Sequence, residues 1–273
     1  MMMPATYRTC VVISYWIGES QAQLHRLLRQ IRDIDAGAPF DLRIVCNGGD
    51  ERPLILPAEF TRLGAQILNR ENVGYNIAAW DHGWKIDVRH DFYLFLQSEC
   101  FLKRPGWVEA FEFRMTRDAG VGLVGERIMW DRLTWSFIRA DTDRDLGQSV
   151  WPAYEPDHPI DRYQHLMTQA GIPIGDVGTH VPTIIHFTAR HILEEVGGYP
   201  FFGPSYREAV GSEVAISRLI EARGYRVVQL KGHPFAYIGH RQWSPPTWHE
   251  KLETKARRIV KSIVRLAGDA APR

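Results

Sequence analysis

The hydrophobic positions of this chain change period repeatedly between residues 10 and 230. Residues 10–17, CVVISYWI, are a continuous β-branched run, the pattern of a strand buried on both faces. Residues 19–34 follow with Leu24, Leu27, Leu28 and Ile31 at helical spacing. FDLRIVCNGG (40–49) predicts a second strand that stops at a turn signal. GAQILNRENVGYN (64–76) predicts a short third strand and a loop, and IAAWDHGWKI (77–86) a helix. FYLFLQ (92–97) predicts a fourth strand, GWVEAFEFRMT (106–116) a helix and VGLVGERI (121–128) another strand. Regular patterning then lapses over residues 126–178, where Trp130, Trp135, Trp151 and Tyr154 stand among many charges and 158–171 reads as helical. A long loop-rich insertion is expected there, a type of segment that often carries function. The pattern returns with a strand at VPTIIHFT (181–188) and a Gly-stopped helix at ARHILEEVGG (189–198). SEVAISRLIEARGYRVVQL (212–230) predicts a helix, a Gly cap and a strand.

Strands alternating with helices predict an α/β architecture with a mostly parallel, doubly wound sheet. Ligands of such sheets bind outside the carboxyl ends of the strands. Here those ends are Tyr15-Trp16, Asn47-Gly48-Gly49-Asp50, the Asn72 loop and Gln97-Ser98-Glu99, and all are polar or Gly-rich. From Thr247 the chain changes character. Leu252, Ile259, Val260, Ile263, Val264 and Leu266 alternate with Lys251, Lys255, Arg257, Arg258, Lys261 and Arg265, a basic amphipathic helix over 247–273. Two readings of it are open, a helix packed on the body or one lying on anionic lipid.

Composition narrows the class. The formal net charge is +1, so no global field points to nucleic acid. Aromatic residues are 11% of the chain and include nine Trp, side chains with an apolar face and a polar edge that suit a carbohydrate cleft as well as a core. Three widely spaced cysteines argue against a disulfide framework and fit a reducing compartment. The N-terminal MMMPATYRTC lacks a signal-peptide core, and no apolar run reaches the roughly 18 residues needed to span a bilayer. A cytoplasmic protein is expected, at most peripheral on the inner face of a membrane.

The order of these elements resembles the GT-A glycosyltransferase fold, above all the inverting family-two enzymes and their relatives in rhamnan and lipopolysaccharide synthesis. Four segments carry the likeness: VVISYW, IVCNGGD, NRENVGYNIAAWDHGW and ILEEVGGYPFFGPSYREAVGSEVAISRLIEARGYRV. The resemblance implies a single domain over 1–246, with a donor half over about 8–125 and an acceptor half over about 126–246. It also implies a UDP-, GDP- or dTDP-sugar as donor and a glycan or lipid-linked acceptor. Three departures stand out. Asn47 occupies a position where Asp is frequent, Ser212-Glu213 replaces an acidic pair, and Gln97-Ser98-Glu99 replaces Asp-x-Asp.

A glycosyl transfer needs the leaving diphosphate's charge offset and the acceptor hydroxyl deprotonated. The resemblance makes Glu213 the expected base, at the start of a helix whose positive end favours a carboxylate. Tyr15, Trp16, Asn47, Asn72, Gly74, Gln97, Ser98 and Glu99 are expected around the sugar nucleotide, with Asn76 and Asp81 as weaker candidates. Mn²⁺ or Mg²⁺ would take hard oxygen ligands, Glu99 among them, with His240 or, second, His233 from the C-terminal region. The bland alternatives are a Glu99 that caps backbone amides and a structural His240. Without a metal, Lys103, Arg104 or Arg70 would serve the diphosphate. Trp130, Trp135, Trp151 and Glu208 are expected on the acceptor side. Two other classes stay open: a degenerate GT-A domain that binds without turnover, and a sugar nucleotidyltransferase. SYWIGESQAQ, with one Gly and no Lys or Arg, counts against the latter.

Overall fold

The computed structural model describes residues 8–87, 89–146 and 158–244. Seven strands form the main sheet: β1 (Thr9–Trp16), β2 (Phe40–Asn47), β3 (Gln66–Arg70), β4 (Phe92–Gln97), β6 (Val121–Gly125), β7 (Ile185–Ala189) and β8 (Arg226–Gln229). Their order is β3-β2-β1-β4-β7-β6-β8. All pairings are parallel except the two made by β7, which runs against β4 and β6. The mostly parallel mixed sheet expected from the sequence is therefore present. Its middle is wholly apolar, with Val11, Val12, Ile13, Leu94, Phe95 and Leu96 all at 0% exposure.

Helices cover the sheet. α1 (Ala22–Asp33) buries Leu24, Leu27, Leu28 and Ile31, the stripe its spacing predicts. α2 (Tyr75–Lys85) lies on β1 and β2, and its approach depends on Gly83, where a Cβ would come within 2.6 Å of Val12 Cγ1. Trp80 on α2 is fully buried and donates its indole N–H to the Leu96 carbonyl at 3.2 Å. α3 (Glu109–Thr116) and α6 (Arg190–Val196) pack against β6 and β7.

The reversed strand fixes the functional edge. Because β7 is antiparallel to β4, its start meets the carboxyl end of β4: Leu96 pairs with Ile185, and the Gln97 N–H donates to the Ile184 carbonyl at 3.3 Å. Residues 181–184 thus arrive beside the ends of β1, β2 and β4. A small second sheet completes that edge. β5 (Cys100–Leu102) pairs antiparallel with β9 (Ile238–His240), setting Cys100 opposite His240. The approach to β9 hangs on Glu126, just past β6 and 1% exposed. Its carboxylate accepts the backbone N–H groups of Ala236, Tyr237 and Ile238, the latter two at 2.8 and 2.7 Å. Burial pushes the Glu126 carboxyl upward, against the three amides that favour its charged form. The unit that holds these elements ends at Arg241.

Two expectations change. The segment 126–178 is not loop-rich where it is described: it contains α4 (Trp135–Leu146) and α5 (Pro159–Gln169). These pack with α7 (Tyr206–Ala222) around a second core of Trp135, Ile138, Ile160, Tyr163, Met167 and Val214. α4 escaped the sequence reading because, among its described side chains, only Trp135 and Ile138 join that core, too few to set a period. The other correction concerns α7, which begins at Tyr206 and not near Ser212. Ser205 caps it, and Glu208 closes a capping box with it. Glu213 therefore sits in the body of the helix and owes nothing to its positive end. The predicted helix over 247–273 and Trp151 lie outside the described residues.

Glu126→Ala leaves three buried N–H groups without an acceptor. Each such loss costs about 1–3 kcal/mol, so the urea midpoint should drop by an amount equivalent to about 3 kcal/mol or more. Glu126→Gln, which keeps one carbonyl acceptor, should lose less.

Candidate functional site

A cavity of about 380 Å³ opens at the carboxyl ends of β1, β2 and β4. It is lined by Ser14, Tyr15 and Trp16 from β1, Glu19 from the following turn, Asn47 from β2, Asn72, Tyr75 and Asn76 around the start of α2, Gln97 from β4, and Ser98 and Glu99 from the turn after it. Its size falls in the range of small-ligand sites. Seven of the eight residues expected around the sugar nucleotide line it, and Gly74 is the exception. Gly74 serves the backbone: it caps α2 at φ 81°, and a Cβ there would lie 2.4 Å from Ala78 Cβ. Trp16 is 45% exposed at the rim, whereas Tyr15 is buried and ties its hydroxyl to the Glu19 carbonyl at 2.8 Å.

The side-chain amides of Gln97 and Asn47 each join two partners of opposite kind. Gln97 donates from Nε2 to the Thr183 carbonyl at 2.7 Å, while its Oε1 faces His240 Nε2 at 3.0 Å. The Thr183 carbonyl accepts, which makes Nε2 the amide nitrogen and makes His240 the proton donor toward Oε1. Asn47 repeats this logic. Its Nδ2 donates to the Tyr75 carbonyl at 2.9 Å, and its Oδ1 accepts from Arg70 at 2.6 Å. A carboxylate can only accept, so neither position can carry Asp or Glu without setting two oxygens against each other.

Thr183 carries the network to the other side of the sheet edge. Its carbonyl also accepts from Asn76 Nδ2. Its N–H and its hydroxyl both donate to Glu213 Oε2, at 2.7 Å each. Glu213 Oε1 stands 3.4 Å from His180 Nε2, and the Glu213 side chain is 19% exposed. Burial pushes the Glu213 carboxyl upward, but His180 when it is protonated, together with the two Thr183 bonds, outweighs this and holds the group below the ordinary carboxylate range. Thr183 was not legible in the sequence because nothing in VPTIIHFT separates the strand from the turn before it, and His180 stands just ahead of that run with no pattern to mark it.

Glu99 keeps the cavity's acidic end. Its side chain is 29% exposed, and His240 Nε2, 3.8 Å away, lowers its carboxyl below the ordinary value. Glu19 shares the cavity, and burial and then the Glu99 charge raise its carboxyl. Among the described residues no three His, Cys, Asp or Glu side chains gather to hold one, and the His240 nitrogen nearest Glu99 is occupied by Gln97. Glu99 presents one hard carboxylate oxygen to the cavity.

The remaining expected residues lie apart from the cavity. Lys103 donates to the Phe235 carbonyl, Arg104 stacks over Tyr237, and Asp81 holds the Tyr199 N–H and Trp84. His233 is exposed beside the Pro234 carbonyl. Glu208 accepts the Ser205 N–H and pairs with Arg162. Trp135 is 8% exposed in the second core and donates to the Gly175 carbonyl, so its expected place on an acceptor platform is corrected. Trp130 packs edge-on against His180, centroids 4.7 Å apart.

A scan of protein-family models finds none that matches this chain, and a search of curated proteins finds no match.

Gln97→Glu tests the amide reading. If the position were half of a two-carboxylate metal clamp, the acid would be tolerated and would tighten Mn²⁺ binding. The hydrogen bonds instead predict destabilisation of about 1–3 kcal/mol at pH 8, read as a lower denaturation midpoint and not recovered by Mn²⁺. Separately, carboxyl-carbon NMR should find Glu99 titrating below the ordinary value near 4.5. The His240–Glu99 pair stabilises the fold above that value and loses its effect as pH falls through the Glu99 titration, so His240→Ala should move the titration upward.

Proposed function

We propose that this chain is a GT-A-type glycosyltransferase that moves a sugar from a nucleotide-sugar to an acceptor hydroxyl. The observation that supports the reading best is the position of Glu213. It is the partly exposed carboxylate bound to Thr183, and Thr183 is bound in turn to Gln97 and Asn76 of the strand-end cavity. Nucleoside recognition falls to the Trp16 and Asn72 side of the cavity, and the diphosphate to the Ser98–Glu99 end. The acceptor hydroxyl lies against Glu213.

In this reading Glu213 takes the hydroxyl proton while the acceptor oxygen bonds to the anomeric carbon and the nucleoside diphosphate leaves. A single displacement of this kind inverts the anomeric centre. The lowered carboxyl keeps Glu213 ionised near neutral pH, ready to accept. A divalent cation held by Glu99 would supply charge neutralisation at the diphosphate. The donor is a UDP-, GDP- or dTDP-sugar, and the acceptor a glycan or lipid-linked sugar. A cytoplasmic location, at most peripheral on the inner face of a membrane, is part of the same proposal. Among the described residues no helix is long and apolar enough to cross a membrane.

Two measurements test this. Calorimetry with UDP, GDP and dTDP, each with and without Mn²⁺, should give saturable binding of one of them, weakened by Trp16→Ala. Glu213→Gln should bind that nucleotide as before and lose on the order of 10²–10⁴-fold in kcat. Binding of a sugar nucleotide with no turnover by the unaltered chain would favour a binding domain, a reading that the amides at 47 and 97 also suit.

A further inference from the structure

The segment that carries Thr183 also carries a buried histidine that the transfer reading leaves without a task. His180 is 2% exposed, and its surroundings fix it closely. Its backbone bonds with Met129 in both directions, at 2.8 and 3.2 Å. Arg218 holds the carbonyls of Val177 and Thr179, and Ser217 accepts the Val181 N–H. The ring packs edge-on against Trp130. Nδ1 lies 3.0 Å from the Gly178 carbonyl. That oxygen can only accept, so Nδ1 carries the proton. In the neutral ring, Nε2 then presents its lone pair to Glu213 Oε1 at 3.4 Å.

Two acceptors held face to face form a place for one proton. We propose that His180 is a positioning residue that acts through Glu213, storing the proton that Glu213 removes from the acceptor hydroxyl. This rests on the transfer reading given above. The acceptor O–H bond breaks and its proton passes to Glu213 Oε1. The acceptor oxygen bonds to the anomeric carbon, and the electron pair of the broken sugar–phosphate bond leaves on the diphosphate. The proton settles between Oε1 and Nε2, giving an imidazolium beside a carboxylate. It returns to water after product leaves, and no co-reactant is needed.

The other charged or titratable groups around the pair do not compete for this proton. His186 on β7 is fully buried between the Val181 carbonyl and the Tyr199 hydroxyl, and burial lowers it to about 4. Tyr206 at the start of α7 is raised, first by burial and then by the Glu213 charge, and stays neutral. Arg218 on α7 points at backbone carbonyls and pairs with Glu221.

His180→Gln separates storage from support. Its amide can still donate to Glu213 but cannot take up a proton. The variant should keep the wild-type KM for the sugar nucleotide and lose about tenfold or more in kcat. Its acid limb should also move, because Glu213 then no longer faces an imidazole that can share the acceptor's proton. A structural role would lower activity without moving the acid limb. Nitrogen NMR of labelled histidine in the unaltered chain provides a readout free of both turnover and mutation. The neutral ring of His180 should carry its proton on Nδ1. A proton on Nε2, or an acid limb unmoved in a folded His180→Gln, would overturn the proposal with the transfer reading intact. Absence of transfer from every nucleotide-sugar by the unaltered chain would overturn both.

Discussion

One residue, Thr183, joins the two halves of this site. Its carbonyl takes hydrogen bonds from Gln97 and Asn76, and its N–H and hydroxyl both go to Glu213. The sheet topology is what makes this possible. A parallel strand beside β4 would begin at the opposite edge, whereas the antiparallel β7 starts where β4 ends. The cavity wall and the proposed base therefore share one rigid frame.

That frame explains the amides. Seen as sequence, Gln97 and Asn47 look like lost acids. In the structure each stands between a carbonyl that needs a donor and a side-chain N–H that needs an acceptor. Buried polar groups left unmatched are costly, so an amide is the side chain of that size that satisfies both. Charge in the cavity is left to Glu99 and Glu19, close enough for one to raise the other. The Glu126 carboxylate, by holding the turn before β9, brings His240 to Gln97 and Glu99 from far along the chain.

Much of the fold was legible because burial writes itself into periodicity. The α1 stripe and the apolar runs of β1 and β4 each fall where the pattern predicts. Strand ends could be read as a ligand edge, and most of the residues named there do line one cavity. Other features could not be read. Strand direction leaves no mark on an apolar run, so the reversal of β7 and the role of Thr183 stayed hidden. The start of α7 was placed at Ser212-Glu213 because the capping box of Ser205 and Glu208 precedes the apolar periodicity. Trp135 looked like a platform because a Trp among charges reads as exposed until its packing partners on α5 and α7 are seen.

The central claim is that Glu213, fixed to the cavity through Thr183, removes the acceptor proton in one displacement. Proton NMR of the freshly formed glycosidic product, made from a nucleotide-sugar of known anomeric configuration, tests this most directly. The account predicts a product with the anomeric configuration inverted. A product with retained configuration would contradict it.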